Sequence, residues 1–192
     1  MSRLSEFQLK IENVVAFTSL GKKIPLLKVA NKLEDAEYSP ESFPGVVYRI
    51  NDPRAASLIF SSGKIVCTGA KSIEKAKQAM GRVVDDLRKA GIPMPRTFSI
   101  KVENIVASTR IIVKQKLNLE EISFSLENVE YEPEQFPGLV YRVSEPRVAF
   151  LVFGSGKIIC TGARTTDDIH AALAKLKERL EGIGLKVKPA QD

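Results

Sequence analysis

Glu37-Tyr38-Ser39-Pro40-Glu41-Ser42-Phe43-Pro44-Gly45-Val46-Val47-Tyr48-Arg49 returns as Glu130-Tyr131-Glu132-Pro133-Glu134-Gln135-Phe136-Pro137-Gly138-Leu139-Val140-Tyr141-Arg142. Working outward, Phe60-Ser61-Ser62-Gly63-Lys64-Ile65-Val66-Cys67-Thr68-Gly69-Ala70-Lys71 returns as Phe153-Gly154-Ser155-Gly156-Lys157-Ile158-Ile159-Cys160-Thr161-Gly162-Ala163-Arg164. Between residues 36–71 and 129–164 there are 23 identities in 36 positions at a constant offset of 93. The opening segment Phe7–Ala16 pairs with Phe98–Ala107 at an offset of 91, so the second copy gains two residues in between. The chain is therefore a tandem duplication, and self-similarity of this kind sets the architecture before any local reading does. Gly91-Ile92-Pro93-Met94-Pro95 ends a helix and starts an extended segment, which places the first repeat at 1–94 and the second at 95–192.

Each repeat reads as a β-rich stretch (Phe7–Thr18) and a short helix (Pro25–Leu33, proline in its first turn), followed by strands near Val46–Ile50, Ala56–Phe60 and Lys64–Thr68. A long helix from Ser72 to Ala90 follows, stopped by Gly91. On it Ile73, Ala76, Met80, Val83, Val84 and Leu87 recur at helical spacing and make one apolar face. Ile169, Ala172, Leu173, Leu176 and Leu180 do the same in the second copy, behind Thr165 or Thr166 and two aspartates. The expected class is α+β, with the two repeats merged into one curved antiparallel sheet, a saddle, and the helices on its convex face.

Helices on one face leave the other to be accounted for. In Lys64–Thr68, Ile65 and Cys67 point one way and Lys64, Val66 and Thr68 the other; Leu58 and Phe60 oppose Ile59. Strands apolar on both faces fit the core of a two-sheet sandwich. They equally fit a single sheet whose uncovered face meets a partner. Phe43 and Phe60 are 17 residues apart, as are Phe136 and Phe153, each at a strand end beside a turn. Matched pairs at the edges of a duplicated sheet are better placed as wedges than as core.

The bulk numbers narrow the classes. A formal charge of +6 and a pI near 9.3 permit nucleic-acid binding without establishing it. No apolar run reaches the length of a membrane span. The stretch Met1–Glu6 lacks the apolar core of a signal peptide, so the expected location is the cytoplasm, with the nucleoid. Cys67 and Cys160 are too few for a disulfide framework or a zinc site and read as small core residues. His170 has no partner nearby in sequence and lies early on the last helix. Asp85-Asp86 and Asp167-Asp168 sit on helix faces or starts, where carboxylates cap or are solvated. Gly63-Lys64 and Gly156-Lys157 lack the spacing of a phosphate loop. No catalytic residue, metal ligand or cofactor site is expected, and an enzyme is disfavoured. A scaffold that holds a polypeptide on its apolar face is the other class; strong loss of affinity with salt would separate DNA binding from it.

The motifs E-Y-x-P-E-x-F-P-G-[VL]-V-Y-R and F-x-S-G-K-I-[VI]-C-T-G-A-[KR], each present twice, resemble the signature of the TATA-box binding protein family, and the likeness runs from about Phe7 to Leu185. The start almost at the first strand resembles the archaeal form. The resemblance implies a transcription factor that binds the minor groove of promoter DNA and kinks it by inserting Phe43, Phe60, Phe136 and Phe153 between base steps. It implies that Asn13 and Asn104 donate to base acceptors near the centre of the site, although both could instead satisfy backbone groups at a bulge. Val15, Leu58, Val66, Val106, Leu151 and Ile159 would form an apolar floor, with Thr68 and Thr161 also in the groove. Arg49, Ser62, Lys64, Arg142, Ser155 and Lys157 would hold the phosphate backbone, with Lys71 and Arg164 as further candidates. Glu132, Glu134 and Gln135 would dock transcription factor B, and through the initiation complex RNA polymerase. Without DNA, a homodimer that hides the apolar face is compatible with this reading.

Overall fold

A computed structural model of the chain describes residues 6–190; Met1–Ser5, part of the stretch read as lacking a signal-peptide core, and the last two residues lie outside it. The elements run β1 (Lys10–Ser19), α1 (Leu26–Lys32), β2 (Ala36–Tyr38), β3 (Gly45–Asn51), β4 (Arg54–Phe60), β5 (Lys64–Ala70) and α2 (Ile73–Lys89). The second series is β6 (Lys101–Ile112), α3 (Leu119–Ser125), β7 (Val129–Glu130), β8 (Leu139–Val143), β9 (Val148–Val152), β10 (Lys157–Ala163), α4 (Thr166–Gly182) and a short β11 (Lys188–Pro189). The class is α+β with antiparallel pairing, as the repeat pattern predicts. The two edge strands β2 and β7 carry no alternation of their own, being 3 and 2 residues long, and were not expected.

The chain divides into two compact units: Asn13–Glu103, and Asn104 onward together with the N-terminal stretch that ends at Glu12. In the first of these the strand order is β2-β3-β4-β5-β1; in the other it is β6-β10-β9-β8-β7, with β11 on β6. Packing units and sequence repeats are thus cut at different points. Phe7, from the first repeat, is buried in the unit built mainly by the second, beside His170. Phe98 and Ile100, from the second repeat, pack against the core of the first.

That core forms where α2 lies on β4 and β5. Ala79, Met80, Val83, Val84 and Leu87 are completely buried against Ile59, Ile65 and Cys67, each larger side chain contributing ~1.5–3 kcal/mol by leaving water. The other unit repeats this with Ile169, Ala172, Leu173, Leu176 and Leu180 over Ile158 and Cys160. The helix ends follow the sequence signals. Ser72 Oγ accepts from Lys75 N at 3.1 Å. Gly91, at φ +72°, lets Ile92 N donate back to Leu87 O at 3.0 Å. Thr165 and Asp168 form a reciprocal capping box on α4.

Asp86 departs from the reading of helix carboxylates as caps or solvated groups. It is 8% exposed and faces inward. Tyr48 Oη donates to its Oδ2 at 3.0 Å, and Arg82 Nε donates to both carboxylate oxygens at 3.2 and 3.0 Å. A tyrosine on β3 and an arginine one turn back on α2 make this burial affordable. Neither partner is adjacent in sequence.

Candidate nucleic-acid interface

Alternation along the strands gives each unit one face under its helices and one without. On β4 and β5, Ala55, Ser57, Ile59, Ile65 and Cys67 are buried, whereas Ala56, Leu58, Phe60, Val66 and Thr68 are half-buried. On β9 and β10, Phe150, Val152, Ile158 and Cys160 are buried, with Leu151, Ile159 and Thr161 half-buried between them. Val15 on β1 and Val106 on β6 belong to the same half-buried sets. A sandwich core would bury both sets, so the helix-free face of each unit is an accessible apolar floor. Its expected members are brought together in both units.

Phe43 and Phe60 stand edge to face with ring centroids 5.7 Å apart and planes at 62°; Phe136 and Phe153 repeat this at 5.8 Å and 67°. T-shaped contacts of this kind hold a ring pair as one body. The glycine of each Pro-Gly lies beneath its pair: a Cβ on Gly45 would stand 2.9 Å from Phe43 Cε1, and one on Gly138 2.6 Å from Phe136 Cε1. Phe136 remains 37% exposed. The pairs are thus apolar and accessible, and clearance for the backbone beneath fixes them in place.

Asn13 and Asn104 both sit at bulges. The registers shift between Val14 and Ala16 of β1 and between Cys160 and Ala163 of β10. Asn13 Oδ1 accepts from Gly69 N at 2.7 Å and its Nδ2 donates to Thr68 Oγ1 at 3.0 Å. Asn104 does the same with Gly162 N at 2.7 Å and Thr161 Oγ1 at 3.2 Å. The backbone-satisfying role is therefore real. It also orients the amide, because with the oxygen engaged the nitrogen is identified, and that nitrogen carries a second N–H beyond the one given to threonine. Thr68 and Thr161 act first as partners of these amides.

The basic residues are more constrained than a solvated reading suggests. Arg49 Nη1 lies 2.6 Å from Glu37 Oε1, and Arg142 Nη2 3.3 Å from Glu130 Oε2, both pairs exposed across a strand pair. Exposed pairs of this kind are worth only ~0–1 kcal/mol, so they yield readily to a stronger anion. Lys64 Nζ lies 5.2 Å from the centroid of the Phe17 ring. Ser62 Oγ accepts from Lys64 N at 3.4 Å and Ser155 Oγ from Lys157 N at 3.5 Å, so both hydroxyls shape turns. Lys71 and Lys157 are exposed. Sequence reasoning missed Arg147. It lines a shallow groove with Arg142, Thr161 and Gly162, and the Pro-Arg shared by Pro53-Arg54 and Pro146-Arg147 was its only signal. Glu132, Glu134 and Gln135 are exposed, and the Glu132 carbonyl accepts from Gln135 N and Phe136 N at 2.9 Å each.

Neither cysteine has the environment of a nucleophile. Both cysteines are buried, and burial pushes the Cys160 thiol up to about 12 and the Cys67 thiol upward as well, away from the thiolate a nucleophile needs. Among the described residues no group of three or more His, Cys, Asp or Glu could hold a metal ion, and no helix is long and apolar enough to cross a membrane.

The fold and this face define a duplicated α+β binding protein. The family model described as Transcription factor TFIID (or TATA-binding protein, TBP) matches residues 8–90 and 99–183, one stretch per repeat. The TATA-box-binding protein of Methanosphaera stadtmanae is 51% identical over 177 residues, covering 92% of this chain and 96% of the relative. That of Archaeoglobus fulgidus is 47% identical over 182 residues, covering 95% of this chain and all of the relative. A solved structure, Methanococcus jannaschii TBP, superposes with a TM-score of 0.83 at 46% identity, over 91% of this chain and 99% of that one. This chain belongs to the TATA-binding protein family, a family of transcription factors and not of enzymes, and these relatives are archaeal.

Proposed function

We propose that this chain binds the TATA box of promoter DNA through the minor groove, kinks the duplex at two steps, and nucleates assembly of the initiation complex. What carries the reading is the pair of matched phenylalanine dyads, each braced over a glycine at the margin of an accessible apolar sheet face. Phe43 with Phe60, and Phe136 with Phe153, enter base steps and unstack them at roughly a few kcal/mol per step, a general cost for proteins that wedge the minor groove, of which this family is itself a standard example. Flexible TA steps make that deformation cheapest, which favours A·T-rich sites without any base contact.

The floor formed by Val15, Leu58, Val66, Val106, Leu151 and Ile159 accepts a smooth A·T groove and rejects the N2 amine of guanine, the one donor that distinguishes G·C there. The second Nδ2 hydrogens of Asn13 and Asn104 donate to adenine N3 or thymine O2. Arg49, Arg142, Lys64 and Lys157, with Ser62 and Ser155, engage phosphates, fixing position without reading sequence and making affinity fall with salt. The exposed acidic turn of Glu132, Glu134 and Gln135 docks transcription factor B, which orients the complex and brings in RNA polymerase. Off DNA, the apolar faces are covered by a second copy. In the cell the protein is with its DNA in the nucleoid.

Fluorescence anisotropy on a short TATA duplex, with energy transfer between dyes at its ends, tests this. Tight binding that bends the duplex, weakens on G·C substitution and is lost in Phe136→Ala/Phe153→Ala is the expected result. Weak, sequence-indifferent binding without bending would overturn it in favour of a polypeptide-holding scaffold.

A further inference from the structure

The duplication supplies an internal comparison away from the DNA face. Tyr48, Arg82 and Asp86 of the first repeat correspond, at the offset of 93, to Tyr141, Lys175 and Arg179. The correspondence is structural as well, since α2 and α4 are both 17 residues long and begin 93 positions apart. In the first repeat the Asp86 carboxylate occupies the place between β3 and the helix, held by the tyrosine hydroxyl and the Arg82 guanidinium. In the second repeat Arg179 replaces that carboxylate. A cleft of about 870 Å³ lies there instead, with Tyr141, Lys175 and Arg179 among its lining residues.

The surroundings keep the arginine and two acidic positions but differ at three other charged ones. Glu145 and Glu178, which also line the cleft, correspond to Asp52 and Asp85; Asn128 stands for Asp35, Ser125 for Lys32 and Gly182 for Lys89, so with Arg179 in place of Asp86 the lining is one unit more positive than its first-repeat counterpart. Lys175 Nζ donates to the Glu145 carbonyl, not to a carboxylate. Among the described residues, Arg179 and the Tyr141 hydroxyl have no ion pair or hydrogen bond. Tyr141 is held in place by its stack on Phe150, with centroids 6.5 Å apart and planes at 14°. The first repeat has Ser57 at that position. The second repeat therefore keeps the tyrosine hydroxyl and, as Lys175, the cation at the Arg82 position, has Gly182 where Lys89 reaches Asp86, and lacks the carboxylate.

We infer that this cleft between α4 and β8 is a docking site for an acidic segment of a partner protein, whose Asp or Glu carboxylate takes the place that Asp86 fills in the first repeat. A carboxylate is favoured over phosphate because the filled copy holds one carboxylate, with the Tyr48 hydroxyl and Arg82 Nε as its near donors and Lys89 Nζ further out at 3.5 Å. Arginine at position 179 adds a planar fork suited to the same anion.

Calorimetric titration of the full chain with a hexaglutamate peptide tests this, with TATA-duplex binding measured in parallel on the same samples. The expected result is salt-sensitive peptide binding that falls at least tenfold in Arg179→Asp and in Lys175→Gln. Lys77→Asp, an equal charge change to Arg179→Asp on the exposed side of α2, should leave it within twofold. Arg179→Asp should retain its melting temperature and TATA affinity, because the introduced carboxylate fills the cleft from within. Absence of peptide binding in the parent chain, or equal loss in Lys77→Asp, overturns the assignment. So does binding of a G·C duplex, but not of peptide, that is lost in Arg179→Asp, since the cleft would then serve nucleic acid. Retained TATA binding in any of these cases leaves the promoter reading untouched.

Discussion

Gly138 lies so close beneath Phe136 that a Cβ on it would stand 2.6 Å from the ring's Cε1, and 3.1 Å from Cε1 of Phe153. This glycine is needed for clearance and not for an unusual φ, because unlike Gly63 and Gly156 it does not adopt a positive φ. Gly138→Ala must therefore push both rings off their positions, an overpacking that costs ~1–3 kcal/mol. We expect TATA affinity to fall about tenfold, the equivalent of ~1.4 kcal/mol, with a reduced bend by end-to-end energy transfer. Gly45→Ala should cost more stability, since its Cβ also meets the Ile59 carbonyl at 3.0 Å, and backbone yields less readily than a ring. Unchanged bending in Gly138→Ala would show that ring placement does not govern the kink.

Two substitutions separate the bulge role of Asn104 from its proposed role as a donor to DNA. Asn104→Ala leaves the exposed Gly162 N–H at the bulge to water in place of its 2.7 Å acceptor and should destabilise the fold by ~0.5–1.5 kcal/mol in chemical denaturation. Asn104→Asp keeps an acceptor for Gly162 and for the Thr161 hydroxyl but removes both Nδ2 donors. It should unfold nearly as the parent does yet bind TATA DNA at least tenfold more weakly, through lost hydrogen bonds and an added negative charge in the groove. Equal DNA affinity for Asn104→Asp and the parent would confine this residue to its bulge.

Arg49 is held by Glu37 at 2.6 Å, and releasing it is a test of phosphate binding. Arg49→Gln should weaken binding to all duplexes by a similar factor and reduce the slope of log affinity against log salt by about one. Glu37→Gln frees the same guanidinium and should strengthen binding or leave it unchanged. A sequence-selective loss in Arg49→Gln would contradict a backbone role.

How much of this was legible depended on whether the signal lay along the chain or across it. The duplication, the helix faces and caps, and the two phenylalanine dyads are periodic or tandem features, and each appears where the sequence puts it. The burial of Asp86 is not legible in the sequence because Arg82, one turn back on α2, suits a solvated helix pair equally well, and Tyr48 meets the carboxylate only once α2 is laid on the sheet. Glu37 and Arg49 recur as Glu130 and Arg142 at the same spacing, yet only the pairing of β2 with β3 and of β7 with β8 brings them together. The packing of Phe7 and Phe98 away from their own repeats left no local trace either, since each sits in a strand-like segment that would suit either core. Bulges likewise need both strands to be seen, and so the backbone contacts of Asn13 and Asn104 stay open in the sequence.

Tyr48 gives the fold a titration above neutrality that can be read directly. Burial, reinforced by the hydrogen bond to Asp86 and the repulsion of its charge, raises the phenol to about 12, against about 10 for tyrosine in an unfolded chain. A group whose pKa is raised on folding stabilises the fold fully below its unfolded value, and that contribution is lost as pH climbs toward the folded one. Stability should therefore decline between about pH 10 and 12 as the unfolded phenol ionises first. Tyr48→Phe removes the hydroxyl but leaves Asp86 its two contacts from Arg82 Nε, so the cost at pH 7 should be near ~1–2 kcal/mol. The decisive comparison is urea denaturation of both proteins at pH 8, 10 and 11. The gap between them should narrow as pH rises across that window, because only the parent chain loses the tyrosine's contribution. A gap that stays constant would mean that the phenol titrates alike in the folded and unfolded chains, and that its bond to Asp86 contributes nothing to the linkage.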